Sequence, residues 1–504
     1  MYAGNFPIIS AEEAASHIPD EAMVALSGFA NAGTAKLVPR AIAKRAREIH
    51  AAGKPYKIRL ITGSSSGNGI DEELAQAEAL SWRAPFQSAP TLRSQINRQQ
   101  VQYIDMHLTA APQTLLAGFF GKLDYAIIEA TDVTRDGRVY LTTSIGGSAA
   151  YLQYADRVFI ELNNYHSKRL PEMADIVLLP PPPRELPIPI HDPLTKIGYP
   201  YAVVDPKKIM GIIETNEPDQ IQPFTPMDWK AKSIADNVVR FLFGEMISGR
   251  IPREFLPLQS GLGSLANSVM AALGNNPYIP PFAMYTINFQ DSLVDLMEKG
   301  KLTGVSACSL TLTVDALSHV CSNMDFFAPR IVLRPQDISD DTGVIRRLGV
   351  IAINPAIEVD IYGNVNSSHL FGTDIMNGIG GSGEFTRNSY LSIIMCPSTV
   401  MGGRISCVVP MSPHVDSNEH SVQAIVTEQG FADVRGIGPM QRARKIIANC
   451  AHPAYRDYLY AYIAEPGSGH IRHNLRRAFE LHRNFLEYGK MLPDLNLAEI
   501  GDRL

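Results

Sequence analysis

The chain has 504 residues, 45% of them hydrophobic and 19% charged, with a formal net charge of −6. That length outgrows a single core, so two large domains are expected, and the lack of a basic field excludes nucleic acid as a partner. There is no apolar run of roughly 18 residues to cross a bilayer and no basic-then-apolar signal peptide. The five scattered cysteines lack CxxC spacing and suit reduced thiols, so a cytoplasmic protein is expected.

From the N-terminus, MVALSGFANAGTAKLVPRAIAKRA reads as an apolar strand, a glycine turn holding Ser27, Gly28 and Phe29, and a helix over Leu37 to Ile49 with apolar residues three to four apart. Lys57 to Gly63, Asp124 to Ala130 and Arg157 to Asn163 read as buried strands, the first running into the turn TGSSSG. Pro180 to Pro183 is a rigid surface excursion, since proline cannot donate to a sheet ladder. FLPLQSGLGSLANSVMAALG, from Phe255, echoes the opening strand–glycine–helix unit and places a helix start near Leu265. Further strands are expected at Ile331 to Leu333, Val350 to Asn354, Ser406 to Pro410 and Gln423 to Thr427. This alternation predicts an α/β protein of two related open domains with mostly parallel sheets, 1–225 and 226–504.

Two loops stand out. QSGLG, Gln259 to Gly263, links a strand to a helix; it is either a phosphate- or pantetheine-approaching loop at a helix N-terminus or an ordinary tight turn. MNGIGGSGEF packs four glycines between Gly378 and Gly383, an entropic cost that close backbone approach to a ligand or an oxyanion hole accounts for. Glu428 closes an apolar strand before TEQGFADVRG, where α/β sheets place ligands. It is a candidate acid, base or substrate orienter, or else a cap or a partner of Arg435. His414, Asp416 and His420 fit a solvated polar loop, so no metal is expected. Asp360 to Asn364 reads as a strand-end turn, and Cys308 as a core thiol with a nucleophile as the alternative.

QSGLGxxxN, NGIGGSGEF, IRRLGVIAINPAIEVDIYGNVNSS and VTEQGFADVRGIGPMQRAR together resemble the acetyl-CoA hydrolase/transferase family, the class I group that includes succinyl-CoA:acetate and propionyl-CoA:succinate CoA-transferases. The resemblance runs nearly end to end. It implies coenzyme A or acyl-CoA as substrate, a small acceptor such as a carboxylate, a homodimer, and ping-pong chemistry through a glutamyl-CoA intermediate. CoA-binding positions then fall on Gln259, Ser260, Gly261, Leu262, Gly263, Ile357, Asn377, Gly381 and Met401, and the second active-site glutamate on Glu428. Ser27, Gly28 and Phe29 are expected at the substrate pocket.

Three positions depart from the family pattern. The nucleophilic glutamate's place in Tyr285–Gln290 is taken by Ile287, which has no atom able to attack a thioester. Asp340 stands where the family has an oxyanion-hole Asn, and only its protonated form can donate. Met401 replaces a CoA-contacting Lys, which leaves a carrier-protein or smaller thioester open. The resulting expectation is acyl transfer or hydrolysis by direct attack, with Gly381 N–H polarising the carbonyl and Glu428 or Asp340 as base. The alternatives are a CoA-transferase with another nucleophile, Asp340 or Cys308, and a non-catalytic ligand-binding subunit.

Overall fold

The computed structural model describes residues 6–183, 187–222 and 228–495. They form two compact units, neither continuous in sequence. The first gathers Met1–Pro223, Ala283–Leu348 and Asn377–Gly381; the second gathers Phe224–Phe282, Gly349–Met376 and Ser382–Leu504. The sequence expectation is one division, at 225/226; the chain passes between the units at 223/224, 282/283, 348/349, 376/377 and 381/382. No described helix is long and apolar enough to cross a membrane.

The first unit is built on a nine-stranded sheet: β1 (Met23–Leu26), β2 (Ile58–Ile61), β3 (Leu80–Ala84), β4 (Gln102–Tyr103), β5 (Tyr125–Val133), β6 (Arg138–Leu141), β7 (Arg157–Asn163), β8 (Ala202–Val203) and β9 (Ile209–Thr215). Its parallel core runs β4-β3-β2-β1-β5-β7-β9. β6 pairs antiparallel with the end of β5, and β8 with β6. Order reverses between β1 and β5, the kind of switch point where open α/β sheets leave a crevice. The strands are nearly continuous apolar runs because both faces are covered. Ile127 and Ile128 of β5 are both fully buried, each worth about 1.5–3 kcal/mol. Helix α1 (Leu37–Ala51) buries Val38, Ala41, Ile42 and Ala46 at three-to-four spacing.

Residues 283–348 join this unit through bridges from Ser144 to Ser309, Gly146 to Pro335 and Ala174 to Leu333. They are fixed further by Arg334, fully buried, which pairs with Asp175 and donates to Pro193 O at 3.1 Å and Thr195 O at 2.6 Å.

In the second unit Leu258–Ser260, Ile351–Pro355, Leu391–Met395 and Ala424–Thr427 are successive parallel strands, and Gly430–Asp433 closes the edge antiparallel. Helices Pro439–Cys450 and Pro453–Ala464 supply Ile446, Ile447, Leu459 and Tyr462 to its core. The expected strand over Ser406 to Pro410 is two short ones, Ile405–Ser406 and Val408–Val409. The Ser406 hydroxyl donates to Val408 O at 2.7 Å, a local side-chain bond that competes with a continuous ladder. Pro180 to Pro183 are exposed and outside any strand.

Candidate active site

In the first unit Ile287 lies just before the strand Asn288–Gln290, which pairs with Ser309–Thr311. Its carbonyl accepts from Cys308 N at 2.7 Å. The loop Asn377–Gly381 is held nearby by donation from Tyr103 Oη to Asn377 O at 2.7 Å and from Ile379 N to Asp105 Oδ1 at 2.8 Å. Ile287 and Asp340 both face Gly381. A Cβ there would sit 2.5 Å from Ile287 Cδ1 and collide with Asp340 Oδ2. Glycine is required because two side chains already occupy that space.

Asp340 follows the short helix Gln336–Ser339, with its N–H donating to Gln336 O at 3.1 Å. It is fully buried, and neither carboxyl oxygen has a hydrogen-bond partner among the described residues. Burial, with the Asp337 carboxylate adding to it, raises its pKa well above the ordinary carboxylate range. The protonated form so favoured is able to donate and unsuited to act as a base. Cys308 is fully buried.

Ser27, Gly28 and Phe29 follow β1 at the switch point. Ser27 Oγ donates to Gly33 O at 2.8 Å and accepts from Glu129 N at 2.9 Å. A Cβ on Gly63 would stand 2.8 Å from Gly28 O, 2.9 Å from Gln336 Oε1 and 3.1 Å from Phe29 Cδ2. This close packing links the turn to the helix that ends at Asp340.

Sequence reasoning missed a buried polar cluster beneath this turn. Lys36 Nζ pairs with Glu129 and with Asp219, the latter at 3.0 Å, and donates to Thr34 O at 3.0 Å. His166 Nε2 lies 3.4 Å from Glu129 Oε1 and 3.8 Å from Asp219 Oδ1. Glu161 of β7 accepts from the backbone N–H groups of Lys36, Leu37 and Val38 at 2.6, 3.1 and 2.7 Å. It thereby caps α1, whose own N-cap residue makes no side-chain cap. The signal was present: Glu129 and Glu161 sit inside otherwise apolar strands, and buried carboxylates need partners.

In the second unit Gln259–Gly263, Ile357 and Glu428 lie at or just beyond the C-terminal ends of three strands of the same parallel run. Gln259 and Asn354 exchange two amide hydrogen bonds of 3.0 Å. Leu262 is 39% exposed, and Gly263, at φ +112°, opens the helix Ser264–Asn275. Ile357 is half-buried and donates its N–H to Asn366 O at 2.9 Å. Met401, at φ +53° and 58% exposed, heads the turn between Thr399–Val400 and Ile405–Ser406.

Glu428 accepts from Ser398 N at 2.8 Å and from the Ser398 hydroxyl. It does not pair with Arg435, whose guanidinium is taken by Asp433 and Glu245, each at 2.8 Å. His414 lies 3.1 Å from Asp416 in a partly exposed loop.

This α/β scaffold is shared with solved structures. It superposes on 4-hydroxybutyrate CoA-transferase from Porphyromonas gingivalis with a TM-score of 0.62 at 21% identity, covering 91% of this chain and 97% of that one. RipA from Yersinia pestis gives 0.68 at 21% identity, covering 90% and 96%. Family models for the acetyl-CoA hydrolase/transferase N-terminal and C-terminal domains match residues 5–214 and 313–463. The chain is 53% identical to propanoyl-CoA:succinate CoA transferase of Escherichia coli, over 96% of this chain and 98% of that protein. It is 42% identical to succinyl-CoA:acetate CoA-transferase of Clostridium kluyveri, over 96% and 90%. It belongs to the acetyl-CoA hydrolase/transferase family.

Proposed function

We propose that this protein cleaves an acyl-CoA thioester by direct attack of water or a small acceptor, without a glutamyl-CoA intermediate. The observation that carries this reading is the packing of Ile287 and the fully buried Asp340 against Gly381. On the family resemblance, the aliphatic Ile287 stands at the nucleophile's position and Asp340 at that of an amide donor. Relatives described as CoA-transferases and acetyl-CoA hydrolases supply the substrate class.

In this mechanism the thioester carbonyl oxygen is held by Asp340 O–H and Gly381 N–H. With water as the attacking group, its oxygen bonds to the carbonyl carbon, its proton passes to solvent, and the C–S bond breaks as the tetrahedral species collapses. The departing thiolate takes a proton from solvent and leaves as free CoA thiol. Asp340 keeps its proton throughout and acts as a donor, not as the base. The donors act where negative charge develops, which is the arrangement that lowers an acyl-transfer barrier most.

The test is release of free thiol from short acyl-CoAs. Asp340→Asn, which retains a donor, should stay within about threefold of the parent, while Asp340→Ala should lose about 10²-fold or more, the usual cost of an oxyanion donor. Equal activity of the parent and Asp340→Ala, or a CoA adduct on any side chain of the parent, would sink the reading.

A further inference from the structure

The donor set formed by Glu129, His166 and Asp219 has the composition of a metal site. All three side chains are buried, with ligand atoms within 4.8 Å of one another, and neither His166 ring nitrogen has a hydrogen-bond partner among the described residues. Yet the centre is already held by Lys36, whose ammonium contacts both carboxylates and Thr34 O. A divalent ion placed between the same oxygens would face that ammonium at contact distance. The chain carries its own cation.

That cation has a structural output. Thr142 Oγ1 donates to Glu129 Oε1 at 2.8 Å, and Thr143 Oγ1 donates to Asp219. From the segment so anchored, Thr143 O accepts from Leu310 N at 2.8 Å, Ile145 N donates to Cys308 O at 2.9 Å, and Gly146 O accepts from Gln336 N at 3.1 Å. Cys308 N in turn bonds Ile287 O at 2.7 Å, and the helix starting at Gln336 ends at Asp340. Hydrogen bonds and the backbone between them therefore connect the ammonium, through residues 142–146, to the backbone of Ile287 and of the short helix that precedes Asp340.

We propose that Lys36 is a positioning residue, a built-in cation in the Glu129–His166–Asp219 donor set that fixes residues 142–146 and through them Ile287 and Asp340. The activity followed to test it rests on the function proposed above; the exchange measurement described next does not. Lys36→Ala should lower turnover about 30-fold or more while moving KM for acyl-CoA less than about threefold, because the binding loops are untouched and the reacting geometry is not. Methylammonium should restore turnover in a saturable way, and tetramethylammonium at equal ionic strength should not. Amide exchange at Leu310 and Gln336, read site by site, should quicken about tenfold in Lys36→Ala and slow again with methylammonium, whether or not the thioester reading holds.

Should Lys36→Ala not fold, Thr143→Val leaves the ammonium in place and cuts only the output; it should lower turnover several-fold with KM unchanged and quicken exchange at Leu310. Folded Lys36→Ala with parental exchange, or with loss that methylammonium does not reverse, overturns the proposal. So does Thr143→Val with parental turnover and exchange. Stoichiometric retention of Zn²⁺ or Mn²⁺ by the parent protein, lost in His166→Ala, also overturns it, because the resident cation is then a metal.

Discussion

A buried acid that stays protonated leaves a mark on stability as well as on chemistry. In the unfolded chain Asp340 ionises near pH 4; in the folded chain burial holds its proton to a much higher pH. The folded state then binds more protons, so stability falls as pH rises from about 4 toward the raised value. Asp340→Asn should remove that slope: its melting temperature should match the parent near pH 4 and exceed it increasingly toward about pH 8. Turnover of the parent should fall on the alkaline side as Asp340 ionises, and the Asn variant should lack that limb. Ile287→Glu places a carboxylate back beside Gly381; it should gain CoA exchange between carboxylates, read as a trapped glutamyl-CoA mass. The identity of both residues was legible in the sequence because each interrupts a motif. The state of Asp340 was not, since protonation depends on burial that no linear pattern reports. Lys36 was invisible for the same reason: its partners lie 93 and 183 residues away.

Elements show the same division between what pattern encodes and what packing decides. Arg157–Asn163 and Ile331–Leu333 form strands over the expected bounds, because short β-branched runs buried on both faces have few alternatives. The strand at Ser406 to Pro410 split, because a serine hydroxyl bonding its own backbone is a local event that hydropathy does not register. The loop Asn377–Gly381 was legible as a place of close approach, but not what approaches it. Gly381→Ala tests that approach. The added methyl meets Ile287 Cδ1 at 2.5 Å, so the variant should lose about 1–3 kcal/mol in urea unfolding, and adding Ile287→Ala should return part of that loss.

At the scale of the molecule, strand–helix alternation announced the α/β class and the doubled architecture, whereas the assignment of segments to units escaped it. Residues 283–348 read as part of the second half by position, but their buried Arg334 answers Asp175, and their strand Ile331–Leu333 extends to a bridge with Ala174. Such long-range pairings have no local signature. A fragment ending at residue 225 should therefore fail to fold, with Asp175 left uncompensated at a cost of about 3–5 kcal/mol. It should appear in the insoluble fraction, and co-expression of residues 283–348 should recover soluble material.

The Arg334–Asp175 pair also sets a clock on biosynthesis. The two residues are separated by 159 positions, so at about 5–20 residues per second the aspartate emerges roughly 8–30 s before its guanidinium. Throughout that interval the nascent chain displays an unfinished unit with an unanswered negative charge. Codon tempo between these positions and the supply of a holding chaperone should accordingly govern the yield of native protein more strongly than they do for a fold whose domains close in order.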